Sequence, residues 1–113
     1  MRASLIVLFI AIFTFMIAVT LWAASHSSLL DPAVRAAYNS QPWALATLAD
    51  AYCGFITFFV WVCFRERGLA VKVLWLVLIL LLGNIAMSFY VLQQLFRLKP
   101  GDSLSSLFAP RPA

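Results

Sequence analysis

Three long apolar runs, separated by short polar stretches, set the pattern of the chain. The first is Leu5 to Ala24, LIVLFIAIFTFMIAVTLWAA, with Arg2 ahead of it and Trp22 near its far end. The second runs from Trp43 to Phe64 and the third from Leu69 to Phe96. A bilayer core about 30 Å thick is crossed by roughly 20 apolar residues in a helix. The pattern therefore predicts an all-α integral membrane protein with three transmembrane helices, over 5–24, 43–64 and 69–96, in one membrane domain covering 1–113. The third run is long for one crossing, so it should tilt or project.

The polar stretches carry local signals of their own. In the first loop, Asp31-Pro32 reads as an N-cap followed by proline at the first helical position. PAVRAAY then continues for two turns, with Val34, Ala37 and Tyr38 on one face and Arg35 pointing away. This predicts a short amphipathic helix lying on the membrane surface. Arg65-Glu66-Arg67-Gly68 is a short basic turn that makes the second and third runs antiparallel neighbours. In the tail, 97–113, Pro100-Gly101 breaks the helix. SLSSLF, with Asp102 as a cap, is expected as a short surface turn, and APRPA as loose chain. A secretory signal is the rival reading of the first run, with Arg2 as its basic start and Ala23-Ala24-Ser25 as a cleavage site. Its apolar core exceeds the 7–15 residues typical of signals, so a retained span is preferred.

Composition agrees with lipid as the main solvent. Of 113 residues, 65% are hydrophobic and 11% are charged, against about a quarter charged in soluble domains. The net charge of +4 does not point to nucleic acid, because the basic residues flank the apolar runs, where they anchor spans and attract anionic headgroups. With three crossings, Arg2, Arg65, Arg67 and Lys72 face one side; Arg35, Arg97, Lys99 and Arg111 face the other. That balance leaves orientation open, as in a dual-topology protein. The density of the basic turn favours an inside N-terminus.

The candidate chemistry centres on Asp50, inside the second run. Thr47, Asp50, Gly54, Thr57 and Trp61 recur at spacings of three and four, which is one helix face. Small and polar residues bring membrane helices together, so this stripe is expected to face protein, leaving Leu45, Phe55, Ile56, Phe59 and Val62 for lipid. Asp50 lies 17 residues before Arg67, and Asn84 lies 17 after it. Equal rise places both about 25 Å from the turn, within reach of a hydrogen bond or a shared water. The candidate cluster for helix packing or ligand binding is Thr47, Asp50, Gly54, Thr57, Gly83, Asn84, Ser88 and Tyr90. In the first run, Ala11, Thr14 and Ala18 offer the best close-packing face.

No nucleophile–base pair, carboxylate pair or phosphate-cradling glycine loop is present, so no enzyme is expected. No cofactor or metal is expected either. His26 is the one histidine and has no partner at ligand spacing. Cys53 and Cys63 lie about 15 Å apart on one helix, too far for a disulfide. An intramembrane carboxylate is a functional candidate by default. Helix-to-helix bonding nevertheless outweighs transport here, because the polar stripe is more than one hairpin can satisfy. The expected role is an accessory, assembly or structural subunit of a larger membrane complex, or a small homo-oligomer. The alternatives are a homo-oligomeric proton-linked transporter using Asp50 and Asn84, and a pigment- or quinone-binding subunit. The expected partners are the lipid bilayer and another membrane protein or a second copy, with no nucleic acid.

Thr47-Leu48, Asp50, Tyr52, Gly54-Phe55, the aromatic-rich run ending at Glu66, and Gly83-Asn84-Ile85-Ala86 together resemble a family of small bacterial membrane proteins. That family is catalogued as a domain of unknown function, number fourteen seventy-five. The resemblance covers about two-thirds of the chain, leaving out the first loop and the proline-rich tail. It implies a three-span protein of the bacterial inner membrane and assigns no activity.

Overall fold

A computed structural model describes residues 1–110. The described residues form five α-helices and one 3-10 helix, with no strand: α1 (Arg2–His26), α2 (Pro32–Ser40), α3 (Pro42–Arg65), α4 (Leu69–Leu82), α5 (Asn84–Arg97) and a 3-10 turn at Leu104–Phe108. Arg111, which enters the charge balance, and the last residues of the tail lie outside the described residues.

Two helices, α1 and α3, are long and apolar enough to cross a membrane. Their 25 and 24 residues give about 36–38 Å of helix. α2 forms where its cap predicts, the Ala33 amide donating to Asp31 Oδ1 at 2.9 Å. It runs on to Ser40, past Asn39.

The third run departs from expectation. It is not one helix over 69–96 but two helices of 14 residues each, divided at Gly83. Each is about 21 Å long, short of the bilayer core. Gly83 has φ +57° and ψ −124°, a region open to glycine and strained for residues with a Cβ. A Cβ there would also lie 2.8 Å from Phe55 Cζ. The chain reverses at this point. A continuous helix would carry Gln94 about 40 Å from the basic turn, yet Arg65 Nη2 donates to Gln94 Oε1 at 2.7 Å. Across the hairpin, Trp75 meets Tyr90 edge-on at 4.8 Å and Phe89 at 6.4 Å.

α5 is thus the centre of the fold. It buries Ala86, Ser88, Tyr90, Leu92, Gln94 and Leu95, whereas α1 and α2 bury none. The main core is Val62, Trp75, Ile79, Ala86 and Tyr90, with Phe55, Phe58 and Phe59 against it. α1 runs antiparallel to α5: Leu5, Ile6 and Phe9 pack on the Leu95, Leu98 and Leu107 cluster, and Phe13 lies 6.1 Å from Phe89. This packing reverses two expectations about faces. Ala11, Thr14 and Ala18 of α1 are exposed, and its large residues make the contact. On α3, Phe55, Phe59 and Val62 turn inward, while Thr47, Asp50, Gly54 and Thr57 stay exposed in the single chain. Bulky side chains fill the gap between helices that small residues would leave open.

The fold-back also moves the tail. Expected at the far end with the first loop, it lies at the basic-turn end. Trp61 Nε1 donates to the Leu107 carbonyl at 2.9 Å, and Arg65 Nη1 donates to the carbonyls of Ser106 and Ala109 at 3.0 and 2.8 Å. The 3-10 turn is capped by Ser103, whose Oγ accepts from the Ser105 amide. Asp102 instead accepts from the Lys99 amide at 2.8 Å, closing the turn after α5.

Candidate functional site

The predicted polar residues divide between two places. Asp50, Gly54, Thr57 and Asn84 line one open groove of about 560 Å³, together with Cys53 and Met87. α3 supplies one wall. The reversal at Gly83 places Asn84, the first residue of α5, on the other. The levels inferred from the sequence meet here because α4 pairs antiparallel with α3 as far as Gly83. The register is marked by the Tyr52 hydroxyl, which donates to the Leu80 carbonyl at 3.4 Å. No hydrogen bond joins Asp50 to Asn84 among the described residues, and both side chains remain exposed in the single chain.

The neighbouring hydroxyls do not supply a partner. Thr57 Oγ1 donates back to the Cys53 carbonyl at 2.9 Å, and Thr47 Oγ1 to the Trp43 carbonyl at 2.8 Å. Ser88 Oγ donates to the Asn84 carbonyl at 2.7 Å and is buried. Such bonds satisfy a hydroxyl within its own helix. Thr47 lies apart from the groove, beside Tyr38, Trp43 and Ala51.

Tyr90 belongs to the second place, at the basic-turn end. Its hydroxyl donates to Glu66 Oε1 at 3.2 Å, and its ring sits edge-on between Phe58, Trp61 and Trp75 at 4.8–6.0 Å. One turn further along α5, Gln94 Oε1 accepts from Arg65 Nε and Nη2 at 3.3 and 2.7 Å. Tyr90 and Gln94 are fully buried, and Arg65 and Glu66 are 5% and 6% exposed. The sequence alone places Arg65 and Glu66 in a solvated turn. Their burial depends on α5 returning and on the tail closing over them. The third run offers only partial hints of this return: it is long for one crossing, it carries Gly83-Asn84 in its middle, and Gln93-Gln94 stand near its end.

Among the described residues no three His, Cys, Asp or Glu side chains converge on a common point. Cys53 and Cys63 are free thiols.

The sequence matches the family described as a protein of unknown function (DUF1475) over residues 1–108. The chain is a member of the DUF1475 family. The match takes in the first loop and most of the tail, more than the motif segments alone span. No curated protein and no solved structure gives a significant match. Family membership therefore assigns no reaction, and the groove and the basic end carry what can be said of this DUF1475 chain.

Proposed function

We propose that this chain is an integral membrane protein that acts as an accessory or structural subunit, completed by a transmembrane helix of a partner or of a second copy. One observation carries the reading: Asp50, on a helix of membrane-crossing length, shares an open groove with Asn84 at the start of α5, both exposed and with no hydrogen bond between them among the described residues. Within a bilayer, polar side chains need a protein partner, and membrane helices associate through small residues and such bonds. Gly54 and Cys53 leave room for a close helix there. In this reading α1 and α3 cross the membrane and α4–α5 enters as a re-entrant hairpin. Irregular backbone at membrane depth is tolerated where protein covers it, as Phe55 covers Gly83.

The same reading sets an orientation. Arg2, Arg65, Arg67, Lys72, Arg97 and Lys99 gather at one end, and Arg35 stands at the other. By the positive-inside rule the N-terminus, the basic turn and the tail face the cytoplasm of a bacterial inner membrane. Extraction in mild detergent followed by a native gel tests the function. The expected result is a species heavier than one chain that Asp50→Leu reduces to the monomer. A wild-type monomer with no companion would overturn it.

A second reading, a homo-oligomeric proton-linked transporter, is favoured by the broken helix. α5 begins at Asn84, which lines the groove with Asp50, and secondary transporters build midplane sites from such interrupted helices. It predicts that Asp50→Asn abolishes proton-dependent uptake in vesicles while the protein remains folded.

A further inference from the structure

The basic end has a concavity of its own. It encloses about 400 Å³ between the end of α5 and the tail, lined by Arg65, Gln94, Arg97, Lys99, Asp102 and Ser106 among others. That volume lies within the range of small-ligand sites. We infer that this pocket binds a phosphate group, carried either by the headgroup of an anionic phospholipid or by a free phosphate.

Two independent features point to an acceptor-rich anion. The first is charge: three cationic side chains line the pocket against one carboxylate, Asp102. Asp102 Oδ2 is already engaged by the Lys99 amide at 2.8 Å. Arg65 directs four N–H contacts to neutral oxygens of Gln94, Ser106 and Ala109. A guanidinium has five N–H donors, so one remains.

The second feature is Gln94. It is fully buried, and its Nε2 has no hydrogen-bond partner among the described residues. Its amide cannot be turned over to relieve this, because Arg65 requires the oxygen where it stands. A buried donor without an acceptor is costly. A phosphate group is rich in acceptors and suits the surplus charge of the pocket that Gln94 lines. Arg97 and Lys99 are exposed at the mouth, where they can meet the ligand as it arrives.

The phosphate chemistry stands without the membrane reading; the lipid source rests on it. Full-length protein in dodecyl maltoside is offered palmitoyl-oleoyl phosphatidylglycerol and phosphatidylcholine in equal amounts and observed by native mass spectrometry. In parallel, thermal unfolding is followed with inorganic phosphate against chloride at matched ionic strength. About tenfold preference for phosphatidylglycerol is expected. It should be lost in the double variant Arg97→Gln, Lys99→Gln and retained in Arg35→Gln, at the other end. Gln94→Glu keeps an acceptor for Arg65 but removes the free donor, so it should fold and bind weakly. A phosphate-specific rise in melting temperature, lost in the same variants and without lipid preference, assigns the free anion. Neither response, or a preference that survives the double variant, overturns the proposal. Release of the chain from membranes by alkaline carbonate would instead overturn the membrane reading and leave the phosphate arm intact.

Discussion

The basic end and the Asp50 groove are both polar places in an apolar chain, and they are built in opposite ways. At the basic end, Arg65, Glu66, Tyr90 and Gln94 are almost wholly buried, and α5 and the tail bring them hydrogen-bond partners. In the groove, Asp50 and Asn84 line the same opening with no hydrogen bond between them among the described residues. Charge within an apolar run is therefore a poor guide to burial here. Asp50, deep in its run, lies open, whereas Arg65, at the edge of the same helix, is enclosed. The enclosed end ties α3, α5 and the tail together within the single chain, whereas the groove is left open in it.

Breaking this contrast at its strongest point means removing the acceptor under Arg65. Gln94→Leu should destabilise the chain by about 3 kcal/mol, because it leaves Nε and Nη2 of a buried guanidinium without their acceptor, while Nη1 keeps the carbonyls of Ser106 and Ala109. Unfolding in detergent monitored by circular dichroism measures the loss; a near-neutral result would mean that the end is not closed as described. Gly83→Ala comes next. The positive φ costs about 1–3 kcal/mol in a residue with a Cβ, and the approach of Phe55 adds to it. Phe55→Ala should recover part of that loss, which a double-mutant cycle reads out. Trp61→Phe keeps an aromatic, though smaller, side chain and removes the 2.9 Å bond to the Leu107 carbonyl. It should cost about 1 kcal/mol and speed protease cleavage of the tail. The smallest effect belongs to the groove. Asp50→Leu should change the stability of the isolated monomer by no more than about 0.5 kcal/mol, whatever it does to association. A large loss there would erase the distinction between the two regions.

Much of this fold was legible in the residues. The ends of α1 and α3 fall within three residues of the apolar runs that predict them, because hydropathy and helix length are local properties. The cap at Asp31 and the turn at Gly68 are also local, and both appear where expected. The reversal at Gly83 was not legible in the same way. Apolarity continues through Leu82 and resumes at Ile85, so periodicity runs across the break without registering it. That one reversal decided the rest. It returned Tyr90 and Gln94 to the basic turn, brought the tail to the same end, and removed the apparent balance of Lys and Arg. Asp50 and Asn84 line one groove all the same, because their levels are set by α3 and α4, ahead of the break. The inward turn of Phe55, Phe59 and Val62 and the exposure of Ala11, Thr14 and Ala18 were illegible for a different reason: whether small or bulky residues meet depends on the spacing between helices, which a single run does not encode.

The tail grips Arg65 through the peptide oxygens of Ser106 and Ala109 rather than through side chains. Every amino acid supplies such an oxygen, so most substitutions at those two positions should pass unnoticed, while a shortened or lengthened connector would misplace the clasp. Arg65 also leaves the ribosome 41 and 44 residues ahead of these acceptors. During that interval the guanidinium must be kept solvated by other means, so the clasp on Arg65 can close only after the tail has been made.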